Sequence, residues 1–150
     1  MIFGNSDKYL IRRATVEDLD EIKVIADNNR KELGFVLRTS LQNSIINREI
    51  FVAERDKQVI GFVDYHLRKD HQATLYHIAV LADQRRQGVG RALLNVLRDE
   101  ARKVGKQLIL LKCPTDLLAN YFYEAHGFQL VQTLNGRKRD LNIWQLPLSY

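Results

Sequence analysis

The stretch from Thr74 to Val104 constrains this chain more than any other part of it. Thr74-Leu75-Tyr76-His77-Ile78-Ala79-Val80 is an apolar, β-branched and aromatic run of strand length. Arg85-Arg86-Gln87-Gly88-Val89-Gly90 comes next. Val89, Leu93, Val96, Leu97, Ala101 and Val104 then recur with helical spacing. Strand, glycine loop and helix in that order place the helix start where the glycines end. Two glycines two residues apart let the backbone turn tightly and keep side chains clear of an approaching group. The start of the helix offers unpaired N–H groups and the positive end of its dipole. Such a junction is a seat for a phosphate or pyrophosphate.

Two common phosphate loops do not fit it. A P-loop needs Lys-Ser or Lys-Thr after its last glycine, and Gly90 is followed by Arg91-Ala92. A dinucleotide fingerprint needs a third glycine, and Leu93 stands there. The junction also lies deep in the chain rather than after a first strand.

The rest of the chain reads as more strands and helices of one α/β (α+β) domain, expected to span residues 1–150. Tyr9 to Ala14 reads as a first strand. Thr15-Val16-Glu17-Asp18 resembles a capping box, and Val16, Leu19, Ile22, Ile25 and Ala26 form an apolar helical stripe. Gly34 to about Asn47 reads as a shorter helix. Ile50–Glu54 and Val59–Leu67 read as strands joined by a hairpin loop over Arg55–Gln58. Leu108-Ile109-Leu110-Leu111 is a continuous apolar run, which predicts a strand buried on both faces. Pro114 ends it, Thr115 or Asp116 is placed to cap a further helix, and Gly127 is placed to stop that helix. Two last strands, about Phe128–Leu134 and Asp140–Pro147, are joined across Asn135-Gly136, a hairpin-turn dipeptide.

Composition narrows the function classes. Hydrophobic residues make up 45% and charged residues 27% of the 150, as in an ordinary globular protein rather than a disordered one. No apolar run reaches the length of a membrane span, and no signal-peptide pattern opens the chain, so a cytoplasmic location without membrane attachment is expected. The single cysteine, Cys113, rules out an internal disulfide and a cysteine-based metal cluster, and no metal is expected. At the end of an apolar strand it reads as a small hydrophobe. The net charge of +5 comes from scattered basic pairs and the group Arg137-Lys138-Arg139. No aromatic residues interleave with them as in nucleic-acid binders, so no nucleic-acid partner is expected.

The residues of the junction resemble the coenzyme A pyrophosphate loop of the GNAT superfamily of acetyltransferases. The resemblance rests on Ile78-Ala79-Val80 followed by Arg85-x-x-Gly88-x-Gly90. A second segment, Tyr123-Glu124-Ala125-His126-Gly127-Phe128, is similar to the family's Tyr-x-x-x-Gly-Phe motif at the usual distance downstream. The opening Ile11-Arg12-Arg13-Ala14-Thr15-Val16-Glu17-Asp18-Leu19 is similar to its first strand and helix. The resemblance implies one mixed, mostly antiparallel sheet of about seven strands flanked by about four helices. It implies an N-acetyltransferase that uses acetyl-CoA as co-substrate and acts on the amine of a small molecule or peptide, with a homodimer left open. A non-catalytic acyl-CoA-binding sensor is the alternative.

Direct acetyl transfer to an amine makes three demands: the amine loses its proton, the carbonyl oxygen is stabilised, and the leaving thiolate is neutralised. By resemblance, Tyr123 donates to the thiolate, and backbone groups of Ile78, Ala79 and Val80 serve the thioester and the pantetheine arm. The resemblance also implies a strand splayed from its neighbour at a bulge. Arg85, Arg86, Gln87, Gly88, Val89, Gly90 and Arg91 would hold the pyrophosphate. The family often has Asn where Asp116 stands, and an ionised Asp cannot donate. Asp116 is therefore either a cofactor contact or a helix cap, and Asn120, one turn on, is the substitute. The family's usual glutamate is absent from Leu110-Leu111-Lys112. His77 on the earlier strand is the candidate base, with Asp64, His66, Glu32 or ordered water behind it. The segments Asn28–Ile46 and Gly136–Trp144 would shape the acceptor pocket, and their Arg and Lys content points to an acidic or phosphate-bearing acceptor.

Overall fold

The computed structural model describes residues 1–5 and 8–149. Its strands in chain order are β1 (Ile2–Asn5), β2 (Leu10–Arg13), β3 (Ile50–Arg55), β4 (Gln58–Leu67), β5 (Gln72–Val80), β6 (Leu108–Pro114), β7 (Gln129–Leu134) and β8 (Leu141–Pro147). The helices are α1 (Leu19–Asn28), α2 (Arg30–Leu33), α3 (Arg38–Ile46), α4 (Val89–Lys103) and α5 (Ala119–Ala125). All strands join one sheet in the order β1-β2-β3-β4-β5-β6-β8-β7. Neighbours run antiparallel except β5 and β6, which are parallel and connected through α4. The expected mixed, mostly antiparallel sheet is therefore present.

The described residues form eight strands and five helices, in keeping with the about seven and about four expected. The added strand is β1, which pairs with β2 through an irregular register. The helix expected over Gly34–Asn47 starts later. Gly34 takes φ +71°, the chain runs on to Leu37 in an extended conformation, and α3 begins at Arg38. Val36 turns inward in that extended stretch and is buried with Ile22, Ile25 and Leu41. Burial of one valine outweighs the local preference for helix here.

Two apolar layers clamp the sheet. On one face Leu93, Leu94 and Leu97 of α4 pack with Phe51, Tyr65, Ile109, Leu111 and Trp144. On the other, α1 and α3 cover Ile50, Val52 and Phe62. Helices of the second face pack on β4 and α1 reaches β5. Burial along β6 consequently alternates: Ile109, Leu111 and Cys113 are buried, whereas Leu108 and Leu110 are half-buried and Lys112 is exposed. The expectation of a strand buried on both faces fails for that reason. Between β3 and β4 the turn is the two-residue Asp56-Lys57, both at positive φ, as a tight hairpin requires. Asn135-Gly136 makes no such turn: β7 and β8 are joined by a longer loop, and Gly136 is not at positive φ.

One charged cluster fixes where the first helix leaves the sheet. Arg12 of β2 donates to both carboxylate oxygens of Asp18, at 2.7 and 2.9 Å, and to Glu54 of β3 at 2.9 Å. The Thr15 N–H also donates to Asp18, at 2.7 Å. Burial alone would raise the Asp18 carboxyl, but the hydrogen bonds from Arg12 and Thr15 hold it below its ordinary value. A depressed carboxyl contributes stability above its unfolded-state pKa and loses it as pH falls through the folded one. Asp18→Asn is expected to lower stability by about 1–3 kcal/mol at pH 7. In urea titrations that difference should narrow below about pH 4. A difference that stays constant from pH 7 to pH 3 would show that the carboxylate charge is not what stabilises this junction.

Candidate active site

The sheet opens at its centre. β5 and β6 pair at Gln72↔Leu108, Ala73↔Ile109 and Thr74↔Leu110, and their ladder stops there. Beyond it β5 continues with β4, and β6 with β8. A bulge against β4 inserts Tyr76 as an extra residue of β5, between the pairs Tyr65↔Leu75 and Asp64↔His77. Extra local twist is what a bulge supplies. A cavity of about 730 Å³ fills the wedge, with Ile78, Ala79 and Val80 on its wall.

At one end lies the glycine loop. A turn over Ala82–Gln84 carries the chain off β5. Arg86 and Gly88 then adopt φ +65° and +80°, and Gly88 is the residue before α4. The N–H groups of residues 86 to 91 find no acceptor among the described residues, and the first bond of the helix is Ala92 N–H to Gly88 O at 3.0 Å. Successive free N–H groups at a helix start, with left-handed residues among them, form an anion-binding concavity. Gly61 of β4 lets this loop sit low. A Cβ there would meet Ala79 O at 3.0 Å and Val89 at 3.3 Å.

The loop's side chains divide into two groups. Arg86 and Arg91 line the cavity, and Arg91 reaches His126 Nε2 at 3.4 Å. Arg85 also borders it, but its guanidinium donates to Val80 O at 3.3 Å and to Asn29 Oδ1 at 2.5 Å. It acts as a strut between β5 and the end of α1. Gln87 points away and accepts from Arg55 at 2.5 Å.

At the other end stand His77 and Tyr123. His77 Nδ1 lies 2.9 Å from Asp64 Oδ2 across the β4–β5 ladder. Asp64 is 2% exposed and its Oδ1 has no partner. A carboxylate can only accept, so Nδ1 carries the proton and the Nε2 lone pair is left for the cavity that His77 lines. Tyr123 is 7% exposed and lines the same cavity, with its ring edge-on to Phe122 and Phe128. Burial, with smaller contributions from Cys113 and Glu32, pushes its phenol above the ordinary range. It therefore stays protonated near neutral pH and can donate. Burial likewise pushes the Cys113 thiol up to about 11, so it is a thiol and not a nucleophilic thiolate.

Besides Gln87, two more residues expected at the cofactor lie elsewhere. Asp116 neither lines the cavity nor caps a helix. α5 begins at Ala119, and the exposed Asp116 pairs with Arg139 at 2.6 Å, which holds its carboxyl below its usual value. Asn120 is spent internally: its amide donates to Pro114 O and Leu117 O, both at 2.8 Å, and its oxygen accepts from Trp144 Nε1 at 2.8 Å. His66 bonds Glu49 at 3.0 Å and lies off the cavity, whereas Glu32 lines it. Asn29 escaped the sequence reading, since nothing marks an asparagine at a helix end as a partner for a distant arginine. The Asp64–His77 pairing was within reach, because a β4–β5 hairpin sets the two strands face to face.

A family model described as an acetyltransferase (GNAT) domain matches residues 47–130. The ribosomal protein bS18-alanine N-acetyltransferase of Escherichia coli is 40% identical over 86 residues, covering 52% of this chain and 57% of that protein. The match thus spans a little over half the length of that curated relative. The crystal structure of a ribosomal-protein-alanine N-acetyltransferase from Brucella melitensis superposes with TM-score 0.77 at 28% identity, over 93% of this chain and 99% of that one. A putative acetyltransferase from Salmonella typhimurium, solved with its cofactor acetyl-CoA, shares the fold at TM-score 0.78 and 22% identity, with 95% of each chain covered.

Pyrophosphate titrated into isotope-labelled protein should shift the amide signals of residues 86–91 first. Gly88→Val should weaken that binding about tenfold or more, because valine resists the left-handed backbone of this position. An unchanged affinity in folded Gly88→Val protein would remove the loop as the phosphate seat.

Proposed function

Because the chain belongs to the GNAT acetyltransferase family, we propose that it transfers an acetyl group from acetyl-CoA to an amine by direct attack. One observation carries the reading: a single cavity joins the row of free N–H groups to His77 and Tyr123. Acetyl-CoA, when bound, supplies the activated acetyl thioester. The N–H groups of residues 86–91, with Arg86 and Arg91, hold its pyrophosphate. The wall of Ile78, Ala79 and Val80, unpaired on its β6 side, offers backbone groups to the pantetheine arm and the thioester oxygen.

His77 is the base in this reading. Asp64 fixes the ring so that Nε2 accepts the proton of the incoming ammonium, and the imidazolium that forms is stabilised by the carboxylate beside it. The neutral amine attacks the thioester carbon; as the carbon–sulfur bond breaks, Tyr123 Oη hands its proton to the sulfur and takes up the second proton shed by the nitrogen as it becomes an amide, while His77 releases its proton to solvent. The two groups act at different moments, one removing charge from the acceptor and the other neutralising it on the leaving group. The likeness to an alanine N-acetyltransferase of ribosomal protein supports a polypeptide α-amine as the acceptor class. A mass-spectrometric screen of N-terminal peptides and small amines with acetyl-CoA tests this. Saturable acetyl-CoA binding with no product on any amine would replace the reading by that of a non-catalytic sensor.

Tyr123→Phe removes the proton donor and almost no volume. It should lower kcat by about 10²-fold and leave acetyl-CoA affinity within about threefold. Wild-type turnover in this variant would reduce Tyr123 to a packing residue. His77→Gln should lower kcat/KM by about 10²-fold and erase the acidic limb of its pH profile, since a protonated imidazole cannot accept. Identical profiles for the two proteins would move the base elsewhere in the cavity.

A further inference from the structure

Glu32 is the one carboxylate on a cavity otherwise bordered by Arg85, Arg86, Arg91, Lys112 and Arg139, as far as the described residues go. Resting on the acetyl-CoA reading above, we propose that Glu32 receives the ammonium of the acceptor and makes the site selective for cationic amines over neutral molecules of the same shape.

A carboxylate in this place is a liability for the acetyl donor, whose phosphates make it a polyanion. Glu32 is also poorly satisfied by the protein. It is half-buried on α2, and the one hydrogen bond its carboxylate accepts is a long one, from the Ala119 N–H at 3.4 Å. No lysine or arginine pairs with it among the described residues. A partly desolvated carboxylate without a cation is stabilised when one arrives. Its location decides which cation that is. The bond to Ala119 sets Glu32 against the start of α5, the helix that carries Tyr123. Its charge is felt there, since it contributes to the upward displacement of both Tyr123 and Cys113. Glu32 thus borders the cavity at the end where α5 starts, which is where the acetyl-transfer reading brings the amine.

An acceptor amine reaches that end as an ammonium and sheds water on entry. Glu32 offsets the lost hydration until the proton passes to His77. Its role is in binding and selection, so substituting it should act on the amine's affinity and not on the acetyl donor's.

The test uses full-length protein saturated with coenzyme A, which cannot react. Alaninamide, cationic at pH 7, and lactamide, its neutral hydroxyl counterpart, are titrated separately and followed by the amide signals around His77. Wild-type protein should bind alaninamide at least about tenfold more tightly than lactamide. Glu32→Gln should bring the ratio to about one by weakening alaninamide alone, and Glu32→Asp should restore part of it. An unchanged ratio in Glu32→Gln, equal weakening of both ligands, or no preference in the wild type would overturn the assignment. Coenzyme A affinity is measured in parallel by calorimetry. Failure of the wild type to bind coenzyme A would sink the acetyl-CoA reading and this inference together, whereas intact coenzyme A binding with an unchanged ratio overturns Glu32 alone.

Discussion

The parting of β5 from β6 after Thr74 and Leu110 is the constraint on which the rest of the molecule depends. Backbone groups along an interrupted ladder are costly to leave unmade, so the gap must be held open from outside. Three contacts hold it. The bulge at Tyr76 twists β5 away and brings His77 opposite Asp64. Arg85 ties the far end of β5, at Val80, to Asn29 at the end of α1. On the other side, α5 lies against the end of β6, fastened by Asn120 to Pro114 and to Trp144 of β8. Each strand is thus secured to a different layer of the protein, and the wedge between them stays clear.

The glycine loop contributes guanidinium groups and free N–H groups to the cavity, and the rest of its border contributes the His77 imidazole backed by Asp64, the buried Tyr123 phenol, Glu32, Lys112 and Arg139. Asp64 illustrates how burial sharpens such a site. It is 2% exposed and has one oxygen unmatched, so its remaining bond to His77 is its main compensation. That dependence fixes the ring of His77, which also lies against the ring of Tyr76.

Parts of this were legible in the residues and parts were not, for identifiable reasons. The strand–loop–helix junction and the Tyr123-x-x-x-Gly127-Phe128 segment could be read because their chemistry is local. Glycines bend where they stand, and a helix starts where its apolar stripe starts. β1 was missed because four residues carry too little alternation to signal a strand. The late start of α3 depends on Val36 finding a place in a core assembled from distant residues. The apolar run before Lys112 says nothing of which sheet face the helices will cover. Asp116 and Asn120 differ for a similar reason. One has an arginine within reach only after β7 and β8 have folded back, and the other is saturated by a tryptophan two strands away. Contacts that span the fold leave no mark on the segment that makes them.

Trp144 gives one of these contacts a practical consequence. It is the chain's single tryptophan, 4% exposed, and its indole N–H is bonded to the helix that carries Tyr123. The molecule therefore contains an intrinsic fluorophore at the joint between α5 and the sheet. Loosening of that joint admits water to the indole and breaks its hydrogen bond, and both changes alter emission wavelength and yield. The seating of α5 can be followed in unlabelled protein, through an optical signal with no other indole to confuse it.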